Sequence, residues 1–590
     1  MPALYAFLFY AYVLPLRTHL SYTYSVPKVW KKIGVPDPNH KLEFTIMLPQ
    51  KNLDILESSL VKISDPNSNH YGKWLSKDAV DSVVYANKSN FTAIYNWLKS
   101  VKIPKNVCRN TSDSIICKTK ISTIDWVFRT KILKYKNRNT DEIVYSGRAQ
   151  GYSIPTELSN AVEFVLGVVD FPQLKYKKSK SKKINDNTAY ITPESIKSLY
   201  NIPKSLLNTK LSSQSVVEFQ GDNCFNIDDL QQFIKANGLK NITIDQKDLW
   251  GPCNTSTFGP DTEATLDIQY QIGTNQDSNQ YYVTVSDWLY QYASLMHNSS
   301  SPPMVNSMSY GWAEWDQCDP SVFPECFIGG DSEIYTKRTN IEFMKLAIRG
   351  VTLLASSGDA GAPGRMSEDC EPDKPINPVF PTSSPWVLSV GGNIVENATI
   401  HKNSSAPFCQ KNDCIDNGIE LNCNFDRCGW TAGGGFSNYF NRPPWQVDIV
   451  EKYLTSTVPF PPKQFFNKNG RAYPDISLVA HNYLIVQSGQ YMTVDGTSAS
   501  SPVMSGLVSI LNNLRLSQNK PVLGPIAPLL YDMYKKCSDC FDDIVEGSNN
   551  SSEMTNCKYG YSATKGYDAV YGLGTPNFSN IYNYVKNMEN

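Results

Sequence analysis

The sequence predicts an α/β protein, a parallel β-sheet flanked by helices, preceded by a separate α+β domain. Three observations carry this. Apolar, strand-like runs at Val305-Asn306-Ser307-Met308-Ser309 and Val351-Thr352-Leu353-Leu354-Ala355-Ser356 bracket a helical stretch from Glu342 to Arg349. That is the βαβ rhythm of a parallel sheet covered by helices. A cationic run from Lys175 to Lys183 (KYKKSKSKK), followed by Ile184-Asn185-Asp186-Asn187, cannot bury a face and divides the chain. The 590 residues suffice for two or more domains with sizeable cores.

Taken in order, residues 1–22 carry a short apolar stretch (ALYAFLFYAYVLPL) that is too short to cross a bilayer and suits a secretory signal, although no basic residue precedes it. No other run is long and apolar enough to span a membrane, so the mature protein is expected to be soluble. Residues 23–174 mix helix and strand; within them Tyr71-Gly72-Lys73-Trp74-Leu75-Ser76 predicts a turn and a helix capped by Ser76. Residues 175–189 read as an exposed linker. Exposed segments are where proteolysis concentrates, which suggests a junction between a propeptide and a mature enzyme; a plain tether is the alternative. Residues 190–590 form the second domain. Thr192-Pro193-Glu194 starts a helix with Pro in its first turn. Ser215–Phe219 and Ile242–Ile244 are expected strands, and Ile227 to Asn237 an expected helix. There is no internal repeat and no dinucleotide- or phosphate-loop glycine pattern.

The net charge of −1 gives no global field for nucleic acid or a membrane surface. The fourteen cysteines are even in number, and Cys537-x-x-Cys540 has no second pair to complete a zinc site. Eleven Asn-x-Ser/Thr sequons occur, including Asn87, Asn241, Asn254, Asn397 and Asn577. With the signal-like start, these features favour the secretory route, a glycoprotein and disulfides. Cys108 and Cys117 lie close and are expected to pair; the connectivity of the other cysteines is not legible.

The stretch with most chemical content is Val494-Asp495-Gly496-Thr497-Ser498-Ala499-Ser500-Ser501-Pro502, followed by the apolar run Pro502 to Leu511, expected to be a buried helix. A serine between a tight turn and a helix start sits beside free backbone N–H groups, as a nucleophile needs where an oxyanion forms. The alternative is a helix cap. A nucleophilic serine needs a base. Of the six histidines, His19, His40 and His70 precede the linker, and His297, His401 and His481 lie in loop-like polar contexts. A carboxylate is the other choice. In Thr262-Glu263-Ala264-Thr265-Leu266-Asp267-Ile268-Gln269-Tyr270, Glu263 and Asp267 are four apart on one helix face. Such a pair helps if it shares a proton, one carboxyl orienting the other; the alternative is a solvated acidic face. A third acid, Asp359, stands in Ser356-Ser357-Gly358-Asp359-Ala360-Gly361, a turn after a buried strand. Active sites gather at that end of a parallel sheet, and a protonated aspartate there donates to an oxyanion. The alternative is a turn-forming Asp.

Together these motifs resemble the sedolisins, the serine-carboxyl peptidases with a subtilisin-like fold. Gly496-Thr497-Ser498-Ala499-Ser500 resembles the family's nucleophile motif, Glu263 and Asp267 its E-x-x-x-D pair, and Asp359 its oxyanion aspartate. Ala432-Gly433-Gly434-Gly435-Phe436-Ser437-Asn438, Gly470-Arg471-Ala472-Tyr473-Pro474-Asp475 and Thr192 to Asn201 also look like family segments, and Tyr71 to Ser76 with Cys108/Cys117 resembles its propeptide. Two departures stand out. Asp495 precedes the glycine where a serine is usual, and the stretches Trp312 to Glu333 and Cys409 to Cys428 are longer than the family pattern. The resemblance implies one structural calcium ion near the C-terminus, held by the side chains of Asp543 and Asp568 and the backbone oxygens of Ile544, Thr564 and Gly566, with Asp542 as the alternative to Asp543. It implies Ser498 as nucleophile, Glu263 as base, Asp267 orienting Glu263, and activity in acid. It also implies a zymogen inhibited by its own propeptide and cut near the linker. The expected activity is release of tripeptides from the free N-terminus of peptides and unfolded proteins, in the lysosome or after secretion. The rivals are an acid endopeptidase of the same family, a subtilisin-type enzyme using His297, His401 or His481, and a binding glycoprotein without activity.

Overall fold

The computed structural model describes residues 16–21, 26, 30–138, 143–169, 182–183, 189–203, 209–219, 224–256, 259–285, 288–318, 332–364, 370 and 375–589. Residues 1–15 of the expected signal, and 175–181 and 184–188 of the expected linker, lie outside the described residues. The chain forms two units. One holds the described residues within Met1–Lys51 and Val84–Phe171; the other holds those within Asn52–Val83, Pro172–Phe323 and Ser332–Asn590.

The first unit is α+β. Strands Cys108–Asn110, Ser114–Lys120, Lys41–Met47 and Phe164–Leu166 form an antiparallel sheet in that order. Helices Lys88–Ser100 and Ile121–Phe128 send Phe91, Ile94, Trp97, Ile124 and Phe128 into one apolar cluster with Phe44 and Ile46. Cys108 and Cys117 are direct cross-strand neighbours and are disulfide-bonded, as their spacing predicts. Arg17–Ser21 pairs antiparallel with Tyr152–Pro155, so the last residues of the 1–22 segment form a strand of this unit.

The second unit is the α/β body. We label β1 (Ser213–Glu218), β2 (Leu249–Trp250), β3 (Asn279–Thr284), β4 (Val305–Met308), β5 (Thr352–Ser356), β6 (Leu388–Ile400), β7 (Ile415–Leu421) and β8 (Ile476–Val479). Among the described residues, seven strands run parallel in the order β2-β3-β1-β4-β5-β6-β8, and β7 lies antiparallel along the far half of β6. Strands β1, β4 and β5 are buried along their whole length, as a sheet covered on both faces requires. A hairpin of β9 (Tyr483–Gln487) and β10 (Gln490–Val494) follows β8, and the backbones of Lys182 and Lys183 pair antiparallel with Thr493 and Met492 of β10.

Helices of this unit include α1 (Thr262–Thr274), α2 (Ser332–Ala347) and α3 (Thr497–Ser517). Helix α3 begins five residues before the expected Pro502 start. Pro502 lacks the N–H that would bond to Ser498 O, and that carbonyl instead accepts the Ser309 hydroxyl at 3.2 Å. The expected cap at Ser76 is present: its Oγ accepts the Ala79 N–H at 3.2 Å. The expected strand Ile242–Ile244 is not one. Ile242 is buried in an apolar cluster with Ile234 and Ile268, but its carbonyl accepts from Gln231 Nε2 at 2.8 Å, and Leu249–Trp250 takes the sheet edge instead.

All twelve cysteines of the pairs Cys108–Cys117, Cys224–Cys253, Cys370–Cys557, Cys409–Cys414, Cys423–Cys428 and Cys537–Cys540 are bonded. The long cysteine-bearing stretch thus consists of two small bridged loops flanking β7. Among the described residues, no helix is long and apolar enough to cross a membrane.

Candidate active site

The loops at the carboxyl ends of β4 and β5 and the start of α3 meet at Ser498. Gly496 enters the turn at φ +127°, a conformation that favours glycine, and a Cβ there would lie 2.8 Å from Asp359 Oδ2. Asp359 comes from the loop after β5. Its Oδ1 accepts both the Thr497 N–H and the Thr497 O–H, each at 2.7 Å, and Thr497 Oγ1 accepts the Gly358 N–H at 3.1 Å. Ser498 is buried; its Oγ faces Ser309 O at 3.5 Å while Ser309 Oγ donates to Ser498 O. Thr431 and the Ala432–Asn438 segment that follows it brace the Asp359 turn. Thr431 N donates to Asp359 O and Gly433 N to Gly358 O at 2.7 Å. A side chain at Gly433 would strike Ser357 O, 2.2 Å from its Cβ, which explains the glycine run.

Glu263 and Asp267 arrive on α1. Asp261 caps that helix, its Oδ1 accepting from Glu263 N at 2.9 Å. The two helices run side by side in the same direction. Gln271 Nε2 donates to Ser505 Oγ at 2.8 Å, the hydroxyls of Ser278 and Ser509 are 2.6 Å apart, and Asn513 Nδ2 donates to Asp277 O at 2.5 Å. Stepping back from the Gln271–Ser505 contact at 1.5 Å per residue, Glu263 lies about 12 Å and Ser498 about 10 Å toward the N-termini. The two therefore sit at nearly the same level. Glu263, Asp267 and Gln271 recur every four residues on one stripe, and Gln271 shows that this stripe faces α3. Both carboxylates are buried, so the solvated-face alternative does not apply.

Sequence reasoning passed over Glu218. It ends β1, is fully buried, and its Oε2 accepts from Tyr310 OH at 2.6 Å. Phe219, Trp288 and Tyr310 form an aromatic cluster with ring centres 5.0 to 6.4 Å apart. An acid in an otherwise apolar strand run was the available signal. Glu314, in the long Trp312 to Glu333 stretch, is a second buried acid. Burial pushes its carboxyl up to about 7, although Ser437 Oγ and the Asn438 N–H both donate to it.

Each of the three later histidines lies beside an aspartate: His297 Nε2 is 2.8 Å from Asp81 Oδ1, His401 Nδ1 is 3.1 Å from Asp416 Oδ1, and His481 Nδ1 is 2.9 Å from Asp495 Oδ1.

Near the C-terminus, Asp543 Oδ2 accepts the Gly566 N–H at 2.7 Å, and Asp568 Oδ2 accepts the Thr564 N–H at 2.9 Å. Burial pushes Asp568 up to about 8, and the neighbouring Asp543 charge adds to the rise. A buried carboxyl whose charge a second carboxylate disfavours, on loops offering carbonyls, fits a hard cation. The Asp543 charge acts on Asp568, while the Asp542 backbone pairs with Thr575 in a short strand. Cys537, Asp539 and Cys540 cluster, but both cysteines are in a disulfide and offer no thiolate.

The family description "Pro-kumamolisin, activation domain" matches residues 28–171. Physarolisin of Physarum polycephalum is 36% identical over 570 residues, covering 96% of this chain and 97% of its own. Tripeptidyl-peptidase 1 of Homo sapiens is 29% identical over 586 residues, covering 94% and 93%. The solved structure of Pseudomonas sedolisin, a serine-carboxyl proteinase, aligns with a TM-score of 0.48 and 23% identity, over 68% of this chain and 99% of that one. The chain belongs to the sedolisin family of serine-carboxyl peptidases and is built as a zymogen, with an activation domain ahead of the peptidase.

Proposed function

We propose that this is an acid-active peptidase in which Ser498 attacks the scissile carbonyl, and that it removes tripeptides from free N-termini of peptides and unfolded proteins. The observation that carries the chemistry is the side-by-side course of α1 and α3, which levels Glu263 with Ser498 while Asp359 grips the same turn. Glu263 takes the Ser498 proton as Oγ bonds to the carbonyl carbon, and Asp267 orients Glu263. The oxyanion that forms accepts from a protonated Asp359 and a backbone N–H at the head of α3. Glu263 then returns the proton to the leaving amine, and water repeats the cycle to free the acyl product. An ordinary glutamate titrates near 4.3, so the base works and Asp359 keeps its proton at roughly pH 3.5–5.

Asp543 and Asp568, with the backbone oxygens of Ile544, Thr564 and Gly566, would hold a calcium ion that ties two loops together. The disulfides and the expected signal favour the secretory route, ending in the lysosome or outside the cell. The activation domain serves as inhibitor until a cut in the 175–189 linker.

The tripeptidyl specificity leans on the likeness to tripeptidyl-peptidase 1 over 94% of the chain. The higher identity to Physarolisin, 36%, favours a second reading, an endopeptidase with an open cleft. Incubating the matured protein at pH 4 with a free-N-terminus peptide and weighing the products decides. Successive tripeptides, lost in Ser498→Ala and Glu263→Ala, support the first reading. Internal cuts with the same variant behaviour move the specificity to endopeptidase, and full activity in Ser498→Ala refutes the chemistry.

A further inference from the structure

The turn carrying Ser498 hinges on Gly496, the residue type that restrains its own backbone least, so its direction must be set by its neighbours. Downstream, Thr497 is tied to Asp359. Upstream, the turn is tied to the loop between β8 and β9. Gly496 N donates to Ala480 O at 2.8 Å, Asp495 Oδ1 accepts the Asn482 N–H at 2.8 Å, and the same oxygen lies 2.9 Å from His481 Nδ1. Asn482 holds φ +58° to present that N–H, and Ser500 Oγ donates to Leu478 O and Val479 O at 3.2 and 3.1 Å just before the loop. The Asp495 side chain is 12% exposed and the His481 side chain 24%, so neither is a freely solvated surface group.

We propose that Asp495, braced by His481 and the Asn482 amide, is a positioning residue for Ser498, rigidly joining the nucleophile turn to the β8–β9 loop. This rests on Ser498 being the nucleophile. The carboxylate ties its own residue, the last before the glycine hinge, to the Asn482 amide, as Asp359 grips the first residue after it. Remove the upstream grip and the Gly496 N–H to Ala480 O bond alone holds the turn to that loop, so the turn can shift and carry Oγ off the line between base and substrate carbonyl. The substrate's own contacts would be untouched. The effect therefore falls on kcat rather than KM. A serine at position 495, the residue the family resemblance leads one to expect, has too short a side chain to reach both partners in this way.

The test uses the matured full-length protein with a peptide substrate at pH 4, comparing Asp495→Ala, Asp495→Asn, His481→Ala and the double alanine variant, with thermal midpoints measured alongside. Asp495→Ala is expected to lower kcat about ten- to a hundred-fold with KM within about two-fold, the scale of a small misplacement of a reacting atom. Asp495→Asn keeps an oxygen for the Asn482 N–H and recovers most of the rate. His481→Ala costs less than Asp495→Ala, and the double variant is no slower than Asp495→Ala alone, because the two act as one unit. Wild-type kcat in Asp495→Ala overturns the proposal, as does a fall in thermal midpoint with kcat and KM unchanged. If Asp495→Ala fails to mature, Asp495→Asn and His481→Ala carry the same comparison. His481→Ala as inactive as Ser498→Ala would make the imidazole the base and overturn the positioning role. Activity surviving in Ser498→Ala would instead sink the underlying reading of the nucleophile.

Discussion

Replacing Asp359 by alanine and by asparagine separates what its two oxygens do. Oδ1 is committed as an acceptor: the Thr497 N–H and O–H both point at it from 2.7 Å. The Thr497 hydroxyl has its own acceptor role filled by the Gly358 N–H, so its proton goes to Asp359. A proton on the Asp359 carboxyl therefore belongs on Oδ2, the oxygen turned toward Gly496. Alanine removes both functions. The lost acceptor costs about 0.5–1.5 kcal/mol for each Thr497 bond. The lost oxyanion donor costs about 2.7–4 kcal/mol more, or roughly 10²–10³ in kcat. Asparagine keeps the acceptor oxygen and places an NH₂ where Oδ2 was, a donor that does not titrate. We therefore expect Asp359→Ala to lose roughly 10²–10³ in kcat and Asp359→Asn to stay within about ten-fold of wild type at pH 4. Asp359→Asn should also hold its rate further into neutral pH, because deprotonation no longer removes the donor. The assay is kcat from pH 3 to 7 on matured enzyme, with thermal midpoints to check folding. Asparagine as slow as alanine at every pH, in a folded protein, would refute the assignment of a donor to Oδ2.

Three further outcomes follow from buried charge. Asp475 is fully buried and accepts from Arg471, Ser389 N and Tyr531 OH, so Asp475→Asn strands the Arg471 guanidinium and should destabilise the peptidase unit by about 3–5 kcal/mol, read as a lower urea midpoint. Glu314 is raised from 4.5 to about 7, so between those values the folded protein holds a proton that the unfolded chain releases, and stability falls as pH rises through that window. The full span is worth up to about 3 kcal/mol, and Glu314→Gln should flatten the difference between urea midpoints at pH 5 and pH 7. Adding calcium at about a hundred times its Kd to chelator-treated protein should contribute about 2.7 kcal/mol, seen as a higher melting midpoint, and Asp568→Asn should abolish the response.

What the sequence disclosed, and what it hid, follows from the range of each interaction. The Ser498 turn and the Asp359 turn were legible because both are local: small residues at a bend, each next to a buried apolar run. The Glu263–Asp267 pair was legible as geometry on one helix, but nothing in the helix itself said which neighbour it faces. That required α1 and α3 to lie side by side, a contact across more than two hundred residues, exemplified by Gln271 and Ser505. Glu218 was hidden for the same reason, since its partner Tyr310 is 92 positions away. Ser498 is expected at a helix start and stands second in α3; what local sequence did not show is that the helix runs through the proline. Here it sits in the sixth position, tolerated because Ser309, another distant residue, takes up the Ser498 carbonyl. Ile242–Ile244 misled in the opposite sense: its residues favour strand, but a helix side chain had already taken its carbonyl.

The choice of base is the point at which pH decides between two geometries. His481, with Nδ1 2.9 Å from Asp495 Oδ1, has the neighbours of half a serine–histidine–aspartate relay, an imidazole beside a carboxylate. Such a relay needs a neutral imidazole, and an ordinary imidazole is protonated well below its pKa of about 6.5. A carboxylate base behaves in the opposite way: it remains ionised down to about pH 4 and needs an acid partner that keeps its proton, which is the role given to Asp359. The two mechanisms therefore work on opposite sides of about pH 6. The structure gives the carboxylate arrangement more support, because Glu263 is levelled with Ser498 by helix packing, whereas Asp495 spends its carboxylate on the backbone of the β8–β9 loop. Peptide cleavage by the matured protein that peaks below pH 5 and disappears in Glu263→Gln leaves no part for an imidazole base. A peak near pH 8 that survives Glu263→Gln and vanishes in His481→Ala would reverse the assignment.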